Sequence, residues 1–203
     1  MSSVGEVVVR GLEDILAERL SVVFCGINPG LLASATGHHF AGRGNRFWRT
    51  LHLAGFTPVE VQPHNHRSIL QYHCGLTAVV ERPTARADEL SADEFSRAAI
   101  GFEQKIARFA PTCVAFLGKA AYAGLSGQKV VHWGLQGSTF GGAAVYVLPN
   151  PSGRNRSFSL EQLVAAYRDL FEHTLATRES SWVTSGTPFL TMYVASSERG
   201  LAG

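Results

Sequence analysis

Short, almost fully apolar runs alternate along the chain with segments whose apolar residues recur every three or four positions. Residues 21–25 (Ser-Val-Val-Phe-Cys) end at Gly26, and residues 112–117 read the same way. Such runs, bounded by turn formers, predict strands buried on both faces. Residues 75–80 are a third strand candidate. Between these runs the pattern turns helical. Asn45 can cap a helix that carries Phe47, Trp48 and Leu51 and ends at Gly55. A short helix is expected over residues 66–72. Ser91-x-x-Glu94 is a capping box opening a helix to about Phe109, which Pro111 stops. Gly118 leads into a small-residue helix through Tyr122. Residues 138–140 and 143–148 flank Gly141-Gly142 as a hairpin whose second arm can join the main sheet. Residues 149–157 read as a loop, and Ser159 caps a last helix to about Thr174. Residues 26–44, rich in Gly, Ala, Ser and Thr, are expected to be one long loop.

Strands alternating with helices predict an α/β fold, a three-layer sandwich with a mostly parallel central sheet and helices on both faces. In such sheets ligands bind beyond the carboxyl ends of the strands. That rule singles out the loop after Cys25 and the loop after Leu148. The pattern divides the chain into an extension over residues 1–9, one domain over 10–178 and a tail over 179–203, in which residues 189–195 have the makings of an edge strand.

Composition narrows the class. With 45% hydrophobic and 17% charged residues, the chain can fill a core and does not read as disordered. No apolar run approaches the roughly 18 residues of a membrane span, and residues 1–12 lack the apolar stretch of a signal peptide. The cysteines Cys25, Cys74 and Cys113 are odd in number and form no C-x-x-C pair. This argues against a disulfide scaffold or a cysteine zinc ribbon and for a reducing, cytoplasmic setting. The net charge of +2 hides an uneven distribution, because residues 19–59 and 104–160 contain no Asp or Glu. They carry Arg19, Arg43, Arg46 and Arg49, then Lys105, Arg108, Lys119, Lys129, Arg154 and Arg156. The expectation is one basic face for a polyanion, with nucleic acid first. Chance composition is the alternative.

The two singled-out loops read Gly26-Ile27-Asn28-Pro29-Gly30 and Leu148-Pro149-Asn150-Pro151-Ser152-Gly153-Arg154-Asn155-Arg156. An Asn-Pro at one strand end is an ordinary turn; two in one α/β domain suggest a ligand. Together with Gly37 to Phe40, Asn45-Arg-Phe-Trp48, Ala54-Gly-Phe56, Arg82-Pro-Thr84 and Leu117-Gly-Lys119, they fall in order across residues 10–174. In these pieces the sequence resembles the mismatch-specific uracil-DNA glycosylases, bacterial relatives of thymine-DNA glycosylase. The resemblance implies a DNA repair enzyme with the glycosylase fold, needing no cofactor and no metal and working as a monomer. It would flip uracil or a damaged pyrimidine out of double-stranded DNA, above all from G:U mismatches, and hydrolyse the N-glycosidic bond.

Residue by residue, the resemblance makes Asn28 the group that positions the attacking water and Phe40 the ring on which the base stacks. Backbone groups around Ile27 and Gly30 and the Asn150 side chain would bind the base. Residues Ser152, Gly153, Arg154, Asn155 and Arg156 would enter or grip the duplex. Arg154 and Asn155 stand where a bacterial relative would typically carry an apolar wedge, so Arg154 is either wedge or phosphate contact. Ala33 and Ala78 are small where relatives can be polar, which implies a roomier pocket.

Asn28 cannot take a proton from water at neutral pH. Of the acids that follow Thr84, namely Asp88, Glu89, Asp93 and Glu94, one could face the pocket and assist; the plainer expectation is that they cap the helix opening near Ser91. His38 and His39 are expected at the pocket mouth or against a phosphate. His64, His66, His73 and Cys74 could be drawn as a zinc site, but clustered surface histidines are more often solvated. Two other functions remain open: a DNA-binding module that has lost its chemistry, and an α/β enzyme hydrolysing free nucleosides.

Overall fold

Strand residues alternate between two helical layers because successive side chains of a strand point to opposite faces. The computed structural model describes residues 11–185. Its five strands are β1 Val22–Gly26, β2 Cys74–Ala78, β3 Cys113–Leu117, β4 Gly134–Phe140 and β5 Ala143–Leu148, in the spatial order β2-β1-β3-β5-β4. β2, β1, β3 and β5 run parallel, and β4 pairs antiparallel with β5. Val22, Phe24, Leu76, Ala115 and Tyr146 face one core, packed under α2 (Phe47–Ala54) and α5 (Leu160–Ser185). Val23, Cys25, Val114, Phe116 and Val145 face the other, under α3 (Ala92–Phe109) and α4 (Lys119–Ser126). This is the expected three-layer arrangement.

The hairpin forms around Gly141 and Gly142, whose φ values of +55° and +85° suit a tight turn that matches strand twist. All three cysteines are buried and unpaired, and burial pushes the Cys74 and Cys113 thiols up to about 12. No helix among the described residues is long and apolar enough to cross a membrane.

Several elements differ from expectation, among them β4, which begins at Gly134 rather than Ser138, and β2, which ends at Ala78 rather than Val80. A six-residue helix, α1 (Leu31–Thr36), interrupts the presumed loop of residues 26–44, closed by Gly37 at φ +70°. Residues 63–72 form a 3₁₀ segment kinked at Asn65, longer than the short helix expected. The last helix runs to Ser185 rather than about Thr174. Its cap is as expected, with Gln162 N donating to Ser159 Oγ and Ser159 N donating to Gln162 Oε1. The local stop signal lies further along than the expectation placed it, in the Gly186 and Pro188 that follow Ser185 in the sequence. The expected edge strand at 189–195 and the extension over residues 1–9 lie outside the described residues.

The capping box of α3 is formed as the sequence implies. Glu94 N donates to Ser91 Oγ at 3.3 Å, and Ser91 N donates to Glu94 Oε2 at 2.9 Å. The Glu94 carboxylate also receives Arg82 Nε at 2.6 Å and Nη2 at 3.1 Å, a two-pronged pair. The Arg82 guanidinium and then the Ser91 amide hold the Glu94 carboxyl at about 2, against an ordinary 4.5. A depressed carboxyl stabilises the fold above its unfolded pKa and loses that contribution as pH falls through the folded value. We therefore expect thermal melts of the wild type to show a stability loss between pH 4.5 and pH 2 that is reduced in Glu94→Gln, with the variant less stable at pH 7. Parallel melting curves across that range would show that the Glu94 charge contributes nothing.

Candidate active site

Parallel pairing brings the carboxyl ends of β1, β2, β3 and β5 to one edge of the sheet, and the loops leaving them enclose a cleft of about 1100 Å³. Ile27, Asn28, Gly30, Phe40, Asn150, Ser152, Gly153, Arg154 and Asn155 all line it, together with Ala33 and Ala78. Arg156 is exposed on the same loop but does not line the cleft. Residues more than 120 positions apart thus meet in one site.

At the base of the cleft, Asn28 Nδ2 donates to Arg82 O at 2.8 Å and to Thr84 Oγ1 at 2.7 Å. The Thr84 hydroxyl proton goes on to Arg86 O at 2.7 Å, so its oxygen is free to accept from Asn28. Both amide hydrogens are engaged, which fixes the amide orientation and leaves Oδ1 as the acceptor without a partner among the described residues. Thr84, only 4% exposed, is tied to the first loop by its own amide, which donates to Pro29 O. Sequence reading missed the role of Thr84. Its signal was present, in Arg82-Pro-Thr84, but nothing local says that this hydroxyl reaches residue 28.

Phe40 has φ +56°, a left-handed conformation that costs a bulky residue on the order of 1–2 kcal/mol. Its ring stacks on Phe47, centroids 3.8 Å apart and planes 22° apart, and Trp48 meets it edge-on. One face is thus covered by Phe47, and the half-buried ring lines the cleft. His39 lines the cleft, one of the two places expected for it, but it is not set up as a phosphate contact. It is 4% exposed, its ring Nε2 donates to Glu13 O at 2.8 Å, and burial lowers its pKa. A neutral, sequestered imidazole is no anion receptor.

The second loop is built from internal bonds. Asn150 Oδ1 accepts from Ser152 N at 2.9 Å, which leaves the Nδ2 donors for a ligand. Asn155 has its side chain turned into the loop, donating to Asn150 O at 2.8 Å and accepting from Ser157 N at 3.2 Å. It is therefore a brace of the loop, and Arg154 and Arg156 are the side chains the loop presents outward. Arg46 grips the loop from α2. Its Nη1 donates to Phe158 O at 2.7 Å, its Nη2 to Asn155 O at 2.7 Å and Ser152 O at 3.3 Å, and its backbone N to Pro151 O at 3.0 Å. Gly153 lies so close to Gly44 that a Cβ there would sit 2.6 Å from Gly44 O.

The acid-free segments do not leave all of their cations free for one basic face. Arg46 points into the loop, Arg49 pairs with Glu60 and Lys105 with Asp14. Arg108 lies over Phe109 and Lys119 over Trp133. The cations that line the cleft are Arg43, Arg86 and Arg154. Of the four acids after Thr84, Glu94 is taken up by the cap and Arg82. Asp88 alone of the four lines the cleft, and it is paired with Arg86, which holds its carboxyl below the usual range. No three His, Cys, Asp or Glu side chains gather as a metal site among the described residues.

The solution NMR structure of a Methanosarcina acetivorans protein, provisionally described as a uracil DNA glycosylase, superposes with a TM-score of 0.54 at 21% identity, covering 80% of this chain and 98% of that one. At that identity the likeness speaks for the fold. The family model described as the Uracil DNA glycosylase superfamily matches residues 14–171, and this span of the domain makes the chain a member of the uracil DNA glycosylase superfamily.

Proposed function

We propose that the protein removes uracil and related damaged pyrimidines from double-stranded DNA, G:U mismatches above all, as a monofunctional glycosylase that leaves an abasic site. The observation that carries this reading is the oriented amide of Asn28, its Oδ1 unengaged among the described residues, on a residue that lines the same cleft as Phe40. Superfamily membership supports the substrate class.

A base stacked in a duplex must first be flipped out, at a cost of a few kcal/mol. Stacking on Phe40 returns about 1–3 kcal/mol of that. Asn150 Nδ2 and backbone groups near Ile27 and Gly30 hold the base edge. Asn28 Oδ1 accepts a hydrogen bond from water and aims its oxygen at C1′. An amide does not remove the proton, so the C1′–N1 bond breaks well ahead of attack. The sugar becomes cation-like, and the base leaves as an anion stabilised by the donors around it. Water then adds to C1′ and gives up its proton to solvent or to the departed base. Slow turnover, faster for better leaving groups, follows from that order of events. Asp88 is bound in its pair with Arg86, so no protein base takes part in the step. Arg43 and Arg154 line the cleft and supply the positive field for the backbone, Arg86 being paired with Asp88.

An open cleft lined by Arg43 and Arg154 suits the phosphates of a polymer better than an uncharged free nucleoside. Base release from duplexes with U opposite G, U opposite A and T opposite G, beside free deoxyuridine, tests the assignment. Release from deoxyuridine alone would overturn it, and duplex binding without release would identify a binding module.

Two variants probe the roles. Asn28→Ala should retain duplex affinity and lose about a hundredfold or more in single-turnover base release; a near wild-type rate would remove Asn28 from the chemistry. Arg154→Ala separates phosphate contact from wedge. Loss of a phosphate contact should lower the slope of log Kd against log salt by about one unit. Loss of a wedge should leave the slope and slow the flipping-limited rate. An Arg154→Ala protein unchanged in both would place the loop away from DNA.

A further inference from the structure

His38, His39 and His66 take no part in the chemistry above, yet they cluster beside the stacking ring, the His39 ring centroid 6.1 Å from that of Phe40. His66 lies edge-on to His38 with ring centroids 5.4 Å apart, and 5.5 Å from His39. His39 precedes Phe40, and the left-handed turn at Phe40 persists only if its surroundings over-determine it. They do so through His39. Its carbonyl accepts from Trp48 Nε1 at 3.1 Å, its ring donates to Glu13 O at 2.8 Å, and its backbone N–H donates to His66 Nδ1 at 3.1 Å. Trp48 and the Glu13 carbonyl cannot change protonation state; His66 can.

To accept that hydrogen bond, Nδ1 must carry a lone pair, so His66 is neutral with its proton on Nε2. Its surroundings favour that state. Burial, the His39 and His38 rings and the Arg67 guanidinium all oppose a charged ring, and the Glu13 carboxylate, paired with Arg67 at 2.6 Å, favours it less strongly. The balance brings His66 down to about 4 from an ordinary 6.5.

We propose that His66 is a positioning residue for base capture: by accepting the His39 N–H it locks the turn that seats Phe40 against Phe47, and with it the plane on which a flipped base stacks. The inference rests on Phe40 being the stacking platform. Without the acceptor, the His39 N–H must turn elsewhere and Phe40 can relax towards an ordinary backbone conformation.

The test compares Phe40→Ala, His66→Ala and His66→Asn in single-turnover base release from a uracil duplex at saturating enzyme, with melting temperatures and undamaged-duplex affinity alongside. Asn places Oδ1 close to the position of Nδ1 and can accept the same bond, but does not titrate. His66→Ala should be slower by about threefold to tenfold, the worth of one hydrogen bond, with affinity for undamaged duplex unchanged. His66→Asn should recover to within about twofold of wild type. The wild-type rate should fall as pH is lowered towards about 4, and in His66→Asn that limb should move to lower pH. His66→Ala as fast as wild type, or His66→Asn as slow as His66→Ala, would overturn the proposal. If Phe40→Ala itself releases base at the wild-type rate, the platform reading fails first, and the two failures are told apart.

Discussion

The Arg46 guanidinium is the interaction on which the site most depends. A cation drawn into the protein must regain the hydrogen bonds it gave up to water, and Arg46 does so by collecting the carbonyls of Ser152, Asn155 and Phe158. Its Nε remains buried without a partner among the described residues, a cost that the other bonds must offset. In return a nine-residue loop with no regular structure is held at one height above the sheet. Tyr167 fixes the start of that loop through Pro149 O, and the Gly44–Gly153 contact admits no side chain. The outward reach of Arg154 and Arg156 is meaningful only because their backbone is held in this way.

The second constraint is directional. Hydrogen bonds run from Asn28 to Thr84 to the Arg86 carbonyl, and from Asn28 to the Arg82 carbonyl. An amide that could flip would present donor or acceptor to water indifferently. With both hydrogens committed it presents only the acceptor, which orients a nucleophile without activating it. The same short segment, residues 82–88, supplies the brace for Asn28, the Glu94 partner Arg82 and the Arg86–Asp88 pair at the cleft wall. Polar positioning and surface charge are thus built from one turn.

Strain is tolerated where it serves the site. The left-handed turn at Phe40 is supported by aromatic stacking on one side and by three hydrogen bonds to His39 on the other. The cations are distributed by the same economy of partners. Several that looked available for a polyanion are spent on carbonyls, carboxylates or rings, leaving a short set at the cleft.

By itself the sequence determined the elements and much of the site. Apolar runs at residues 21–25 and 112–117, the Ser91-Glu94 box, the Gly141-Gly142 turn and the two Asn-Pro loops are local signals, each governed by residues a few positions apart. The strand–helix alternation implied a parallel sheet, and a parallel sheet implied that both loops share an edge. Tertiary structure alone decided what those loops contain. Thr84 braces Asn28 across 56 positions, Arg46 grips carbonyls more than 100 positions away, and His66 meets His39 from a kinked 3₁₀ segment. The inward direction of Arg46 depends on partners brought together by folding, whereas Asn155 and Asp88 are held by residues two to five positions away. Charge and hydrogen-bonding capacity belong to a residue type, but whether they are spent internally or left for a ligand depends on neighbours that only the packed chain supplies.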